Sequence, residues 1–191
     1  TTFKDGPGFE EFQFALIRSL SVDSPLTKEE FSRGSDQDVI DAVYDKVIEA
    51  YRRKSEIISA TALPVLKDVY ERMSATYENV VVPITDGART YNVITNLKAA
   101  VESQGKELLR SFEKTSVLAT IDDAWREHLR EMDDLKQSVQ NATYEQKDPL
   151  LIYKFESFEL FKTMINKVNH DVVSLLMKGT IPAAASTDNV R

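Results

Sequence analysis

The sequence predicts a mainly α fold that carries one small antiparallel β-hairpin at about residues 80–93 and continues into a long antiparallel two-helix hairpin. Three observations predict it. Apolar residues return every three or four positions through most of the chain, the spacing of one helix face. The period changes only around Asp86-Gly87, where two β-prone runs meet. Two long apolar seams then follow, separated by the short polar stretch Gln140 to Lys147. With 6 Gly and 6 Pro among 191 residues, breakers are too few to chop these patterns into short pieces.

The first stretch, to about Arg33, reads as short helices. Phe9, Phe12, Leu16 and Ile17 fall at helical spacing before Ser24-Pro25 interrupts. Thr27 followed by Glu30 has the form of a capping box, in which each side chain satisfies a free backbone N–H of the other residue. The helix it opens should stop near Gly34. Ser35, Asp36 and Asp38 then place acidic groups where the positive end of a helix dipole favours them. Val39, Ile40, Val43, Tyr44, Val47, Ile48 and Tyr51 make an amphipathic helix whose pattern carries on through Ile57, Ile58, Leu66, Val69 and Tyr70. Pro64 lacks an N–H, so a kink or a new helix is expected near it.

Val80 to Thr85 and Ala88 to Val93 flank Asp86-Gly87, the strongest short signal for a two-residue type I′ turn. Pro83 cannot donate to a ladder, which puts its N–H side at a sheet edge. An isolated hairpin is marginal in water, so this one must lean on helices.

Beyond about Asn96, Leu118, Ile121, Trp125, His128, Met132, Leu135 and Val139 advance in alternating steps of three and four, a seam broken only by His128. Asp148-Pro149 supplies an N-cap and a proline at the first helical position. The second seam runs Leu151, Phe155, Phe158, Phe161, Ile165, Val168, Val172, Leu175, and Gly179 with Pro182 signals its end. A loop this short forces the helices to fold back on each other. With the bend near Tyr144, facing residues have numbers summing to roughly 290. That register pairs Val139 with Leu151, Leu135 with Phe155, Met132 with Phe158, Trp125 with Ile165 and Leu118 with Val172, apolar on both sides every time. These ten residues are the expected core of the hairpin. Each arm would be ~35 Å long at 1.5 Å per residue, a stiff lever with its loop at the far end.

Composition excludes several classes. A net charge of −7 argues against a duplex nucleic-acid binder, which needs a cationic footprint. No apolar run approaches the ~20 residues that span a bilayer. Zero cysteines leave no disulfide or zinc-thiolate site. No G-x-x-x-x-G-K followed by Ser or Thr occurs, so no such loop cradles a triphosphate, and no cofactor is expected here. The chain opens Thr1-Thr2-Phe3 without an initiator Met or a secretory signal, which reads as a piece of a longer protein.

The hairpin stretch also carries a family likeness. Leu109 to Lys114, Ile121 to Leu129 (Ile-Asp-Asp-Ala-Trp-Arg-Glu-His-Leu) and Met132-Asp133-Asp134-Leu135 resemble the first finger helix of the SecA family of preprotein translocase motors. Tyr144-Glu145-Gln146-Lys147-Asp148-Pro149-Leu150 is similar to the SecA fingertip, and Tyr153 to Phe161 to the start of its second helix. Two places depart from the family pattern. Ala142 and Thr143 stand where Arg-Gly is frequent, and Phe155 where a basic residue is common. The resemblance is specific from about Leu108 to Lys178; before that it rests on position and helical character.

The resemblance implies a division into a helical wing domain at 1–106, a helical scaffold two-helix finger at 107–179 and a linker tail at 180–191. It implies that Tyr144, Gln146 and Lys147 contact the SecYEG channel and an unfolded preprotein, coupling a motor ATPase to polypeptide movement. ATP and magnesium would belong to motor domains outside this chain, which become partners alongside an anionic membrane surface; nucleic acid would not. The setting implied is cytoplasmic, peripheral to the inner membrane. The acidic doublets Asp122-Asp123 and Asp133-Asp134 are solvated helix faces by default, and by resemblance they are candidates for basic partners on the motor.

Two other classes stay open. An unrelated coiled-coil adaptor would bind through an exposed helix stripe and ignore the loop. A small helical enzyme would use Glu127, His128 and Asp133 at mid-hairpin, against which the apolar seam argues. His128 and His170 lie ~12 Å apart along the axis in the expected register and cannot share a metal. Trp125 is expected in the core with a partner for its indole N–H, and His128 in the seam making a hydrogen bond.

Overall fold

A computed structural model describes residue 3, residues 8–141 and residues 148–182, with only the backbone described at 140 and 141. The chain is mainly α. Helices α1 (Gly8–Leu20), α2 (Lys28–Arg33) and α3 (Asp36–Met73) precede strands β1 (Asn79–Thr85) and β2 (Thr90–Asn96). Helices α4 (Leu97–Glu102), α5 (Lys106–Asn141) and α6 (Pro149–Lys178) follow. The residues divide into two compact units, the first formed by 1–115 with 174–191 and the second by 116–173. Helices α5 and α6 contribute to both.

Local chemistry starts most elements where the sequence predicts. Glu30 N–H donates to Thr27 Oγ1 at 3.3 Å and Thr27 N–H to Glu30 Oε2 at 2.8 Å, the expected capping box of α2. The Thr27 N–H and the Thr27 hydroxyl, at 2.9 Å, both donate to the Glu30 carboxylate and hold it below its usual range. Ser35 and Asp38 form a second box at the start of α3, with Asp in the place Glu usually takes. Asp148 Oδ1 accepts from Leu150 N–H at 2.9 Å, capping α6 ahead of Pro149.

Two expectations are corrected. Helix α3 runs through Pro64 without a break, so of the two outcomes expected there a new helix does not begin. Ala62 and Leu66, on either side of the proline, are both buried in one core, and that packing carries the helix past the lost hydrogen bond. The hairpin turn is centred one residue later than expected. Asp86 N–H donates to Arg89 O at 3.2 Å, so Gly87 and Ala88 are the central pair. Only Gly87 has positive φ, +92°, which is the pattern of a II′ turn with Gly first and not I′. The Asp86 carboxylate accepts from Ala88 and Arg89 N–H at 2.8 and 2.7 Å and stabilises the turn from within.

The sheet is the antiparallel pair β1–β2, in a register from Asn79↔Asn96 to Thr85↔Thr90. The outer edge of β1 carries one added bridge, in which Thr85 and Thr180 exchange N–H···O bonds at 2.8 Å. Thr85 therefore turns its N–H outward, and the ring nitrogen of Pro83, two residues back, faces the same edge, as predicted. The same register sets Pro83 opposite Pro182. Neither has an N–H, so the added strand stops after one bridge and the edge is blunted.

The first unit holds two cores. In one, Ile58, Ala62 and Leu66 of α3 pack with Ile84, Val93, Leu97, Ala100, Leu108 and Phe112. In the other, Phe12, Leu16, Val22, Phe31, Val39 and Met177 come together, with Phe12 and Phe31 stacked at 4.7 Å between centroids. Gly179 ends α6 as predicted, its N–H donating to Leu175 O at 2.8 Å. Its φ is not positive, so conformational freedom is not the reason for glycine there. The ring of Phe112 occupies the space that a Cβ would need.

Candidate functional site

The second unit, 116–173, is formed by the two arms of the helical hairpin. Their antiparallel register is visible in one ring contact, His128 against Phe161 at 6.0 Å in an edge-on geometry. That pair lies within one position of the register read from the sequence. Asp148, whose carboxylate caps α6, marks the loop end of the second arm. Tyr144, Gln146 and Lys147 lie outside the described residues.

The seam itself differs from the expected one. Of the ten core residues, Val139 is buried and Met132, Leu135 and Val172 are half-buried. Leu118, Trp125, Leu151, Phe155, Phe158 and Ile165 are instead exposed, from 40% at Ile165 to 65% at Phe155. On α5 the buried line runs Ala124, His128 and then Val139. On α6 it passes through Met164, with Ser157, Leu160 and Val168 half-buried. The physical reason is that the apolar face of each arm is wider than one seam. Ala124 and His128 on α5 and Met164 on α6 take the buried line. The six exposed residues are displaced to the flanks.

One flank forms a groove of about 630 Å³ lined by Ile121 and Trp125 on α5 and by Phe161, Met164, Ile165 and Val168 among others on α6. Trp125 stands on its wall at 46% exposure, not in the core. His128 lies beside it, its ring 5.5 Å from the indole. His128 is 6% exposed, within the seam as expected, and its Nδ1 has no hydrogen-bond partner.

This geometry bears on the enzyme alternative. Glu127 is engaged by Arg130 at 2.9 Å, while Asp133 is exposed. Asp122 and Asp123 share Arg126 at 2.5 and 2.9 Å, and Asp122 chiefly holds that guanidinium above its usual pKa. The first acidic doublet is thus half-compensated by one cation on its own helix, whereas Asp133 and Asp134 face solvent. Among the described residues no group of three His, Asp or Glu side chains is placed to hold a metal. Among them, too, no helix is long and apolar enough to cross a membrane.

Sequence reasoning missed two polar contacts in the first unit. Tyr51 O–H donates to Glu113 Oε1 at 2.7 Å, and Lys54 Nζ donates to the Met177 carbonyl at 2.5 Å. Tyr51 was legible only as an apolar-stripe residue whose hydroxyl would need a partner. Nothing in the sequence singles out Lys54.

Comparison with known proteins covers nearly the whole chain. Residues 10–180 match the family described as the SecA Wing and Scaffold domain. The chain is similar to the protein translocase subunit SecA of Bacteroides fragilis, 49% identical over 180 residues, which is 94% of this chain and 16% of that protein. It is 48% identical to that of Phocaeicola vulgatus over 174 residues, 91% of this chain and 16% of that protein. It is 49% identical to that of Christiangramia forsetii over 185 residues, 97% of this chain and again 16% of the relative. The chain thus spans about a sixth of the length of these curated relatives.

Proposed function

The chain belongs to the SecA family as its wing and scaffold region, and from that premise we propose that it serves protein translocation by carrying the finger of the motor. The observation that supports this reading is the pair of antiparallel arms, α5 and α6, joined through the Tyr144-Glu145-Gln146-Lys147-Asp148-Pro149 motif.

In this reading the arms convert motor movement into displacement of the loop, and packed helices supply the stiffness. Tyr144 offers an aromatic surface that buries apolar area at small entropic cost while its hydroxyl remains hydrated. Gln146 and Lys147 add polar and cationic contacts to the channel mouth of SecYEG or to the preprotein. Hydrolysis of ATP with magnesium belongs to parts of SecA outside this chain. The protein would work in the cytoplasm, at the inner membrane surface.

The test is site-specific photocrosslinking from position 144 in full-length SecA carrying this region, with channel and a stalled preprotein present. Crosslinks to preprotein or channel are expected, and they should vanish when the probe moves to exposed Lys136. Crosslinks only within SecA itself would remove Tyr144 from the translocation path.

A second reading, an adaptor that recruits partners along a helix face, is favoured by one observation: the exposed apolar stripe of Trp125, Phe161 and Ile165. It predicts that partner crosslinks follow position 125 and ignore position 144.

A further inference from the structure

The two polar contacts that the sequence did not announce share one level of the hairpin. Tyr51 and Lys54 are three residues apart on α3, hence on one face and about 4.5 Å apart along its axis. Tyr51 reaches α5 at Glu113, and Lys54 reaches α6 at the Met177 carbonyl. The numbers of Glu113 and Met177 sum to 290, so in the antiparallel register these two residues stand opposite each other. A third contact lies at the same level, where the Phe112 ring of α5 fills the space left open by Gly179 just past the end of α6.

Each contact is made under conditions that favour its persistence. Tyr51 is half-buried, and burial followed by its bond to Glu113 pushes the phenol up, keeping its donor proton in place at neutral pH. Lys54 is partly buried as well, which pulls its pKa down, yet its ammonium meets a carbonyl in the last turn of α6, where a cation is favoured by the helix dipole. Hydrogen bonds with a charged partner are the stronger class. One arm cannot slide by a helical turn, about 5.4 Å, past the other without breaking at least one of these bonds and driving a side chain against Phe112.

We propose that Tyr51 and Lys54 are positioning residues that lock the two arms of the hairpin against axial slip, so that displacement of one arm is delivered by both. The proposal rests on the translocation reading for its consequence, not for its geometry. A lever of two helices that shear past each other dissipates the movement it should pass on; a lock at the root prevents this without touching the loop.

The experiment uses full-length SecA carrying this region, reconstituted with channel vesicles, and reads preprotein translocated per ATP hydrolysed. Lys54→Met combined with Tyr51→Phe should lower that ratio about tenfold, the scale of losing a charge-assisted hydrogen bond. Lys54→Arg, which restores a donor, should recover most of it, a rescue that a side chain needed only for packing would not show. Thermal unfolding establishes that the variants are folded. Should the double variant fail to fold, Tyr51→Phe alone, which deletes one hydroxyl, carries the test with an expected drop of about threefold. An unchanged ratio in a folded variant overturns the lock. Tyr144→Ala run in parallel separates the two readings: if it blocks translocation while the lock variants do nothing, only the lock falls, and if neither has an effect the finger reading falls with it.

Discussion

The two units bury their apolar residues to very different degrees. In the first, Ile84, Val93, Leu97, Leu108 and Phe112 are all at most 1% exposed, because helices and a sheet close around them from several sides. In the second, the only apolar residues buried among those described are Ala124, Val139 and Met164, while Phe155, Phe158 and Leu118 stand more than half exposed. Two helices can cover only one stripe of each other, and whatever lies outside that stripe needs a third element. The comparison teaches that a two-helix layer leaves most of its large apolar side chains as surface for something else to use, whereas the first unit closes two cores while still exposing residues such as Phe14, Ile40 and Val65.

The largest expected effect lies in the first unit. Phe112→Ala should cost about 3–5 kcal/mol in urea denaturation followed by circular dichroism, because the ring is fully buried and its cavity has little room to collapse. A loss under about 1 kcal/mol would mean that this core is looser than described. A smaller effect, of opposite sign, is expected in the hairpin. His128→Leu removes a buried Nδ1 that has no partner and replaces it with a similar apolar volume, so the chain should gain about 1 kcal/mol in the same assay. A loss of stability there would show that the imidazole is satisfied, by water for example. The smallest effect should follow Phe158→Ser. Despite removing a large aromatic, it should change stability by no more than about 0.5 kcal/mol, since the residue is already 63% exposed. A large loss would place Phe158 back in the seam and erase the contrast between the units.

Much of the fold was legible. The capping box at Thr27 and Glu30, the cap at Asp148 with Pro149, the Asp-Gly hairpin region and the end of α6 at Gly179 were all predicted near where they stand. The antiparallel register was legible too, as the His128–Phe161 contact reflects. What could not be read was rotation. Periodicity finds an apolar face but not its centre when the face is wider than a seam, so Trp125, Phe155, Phe158 and Ile165 were assigned to a core that Ala124 and Met164 occupy instead. The fate of Pro64 was hidden for a similar reason, since packing of Ala62 and Leu66 outweighs a local penalty.

The sequence by itself determined the start and stop of helices, the place of the only sheet among the described residues and the direction in which the long arms return, because each depends on chemistry within a few residues of itself. Tertiary structure alone decided which side of each arm is buried, why Gly179 has no side chain, and that Tyr51 and Lys54 meet Glu113 and Met177. Those outcomes depend on partners far along the chain, 62 positions away for the tyrosine and 123 for the lysine, and no local pattern encodes what will fill the space beside a residue.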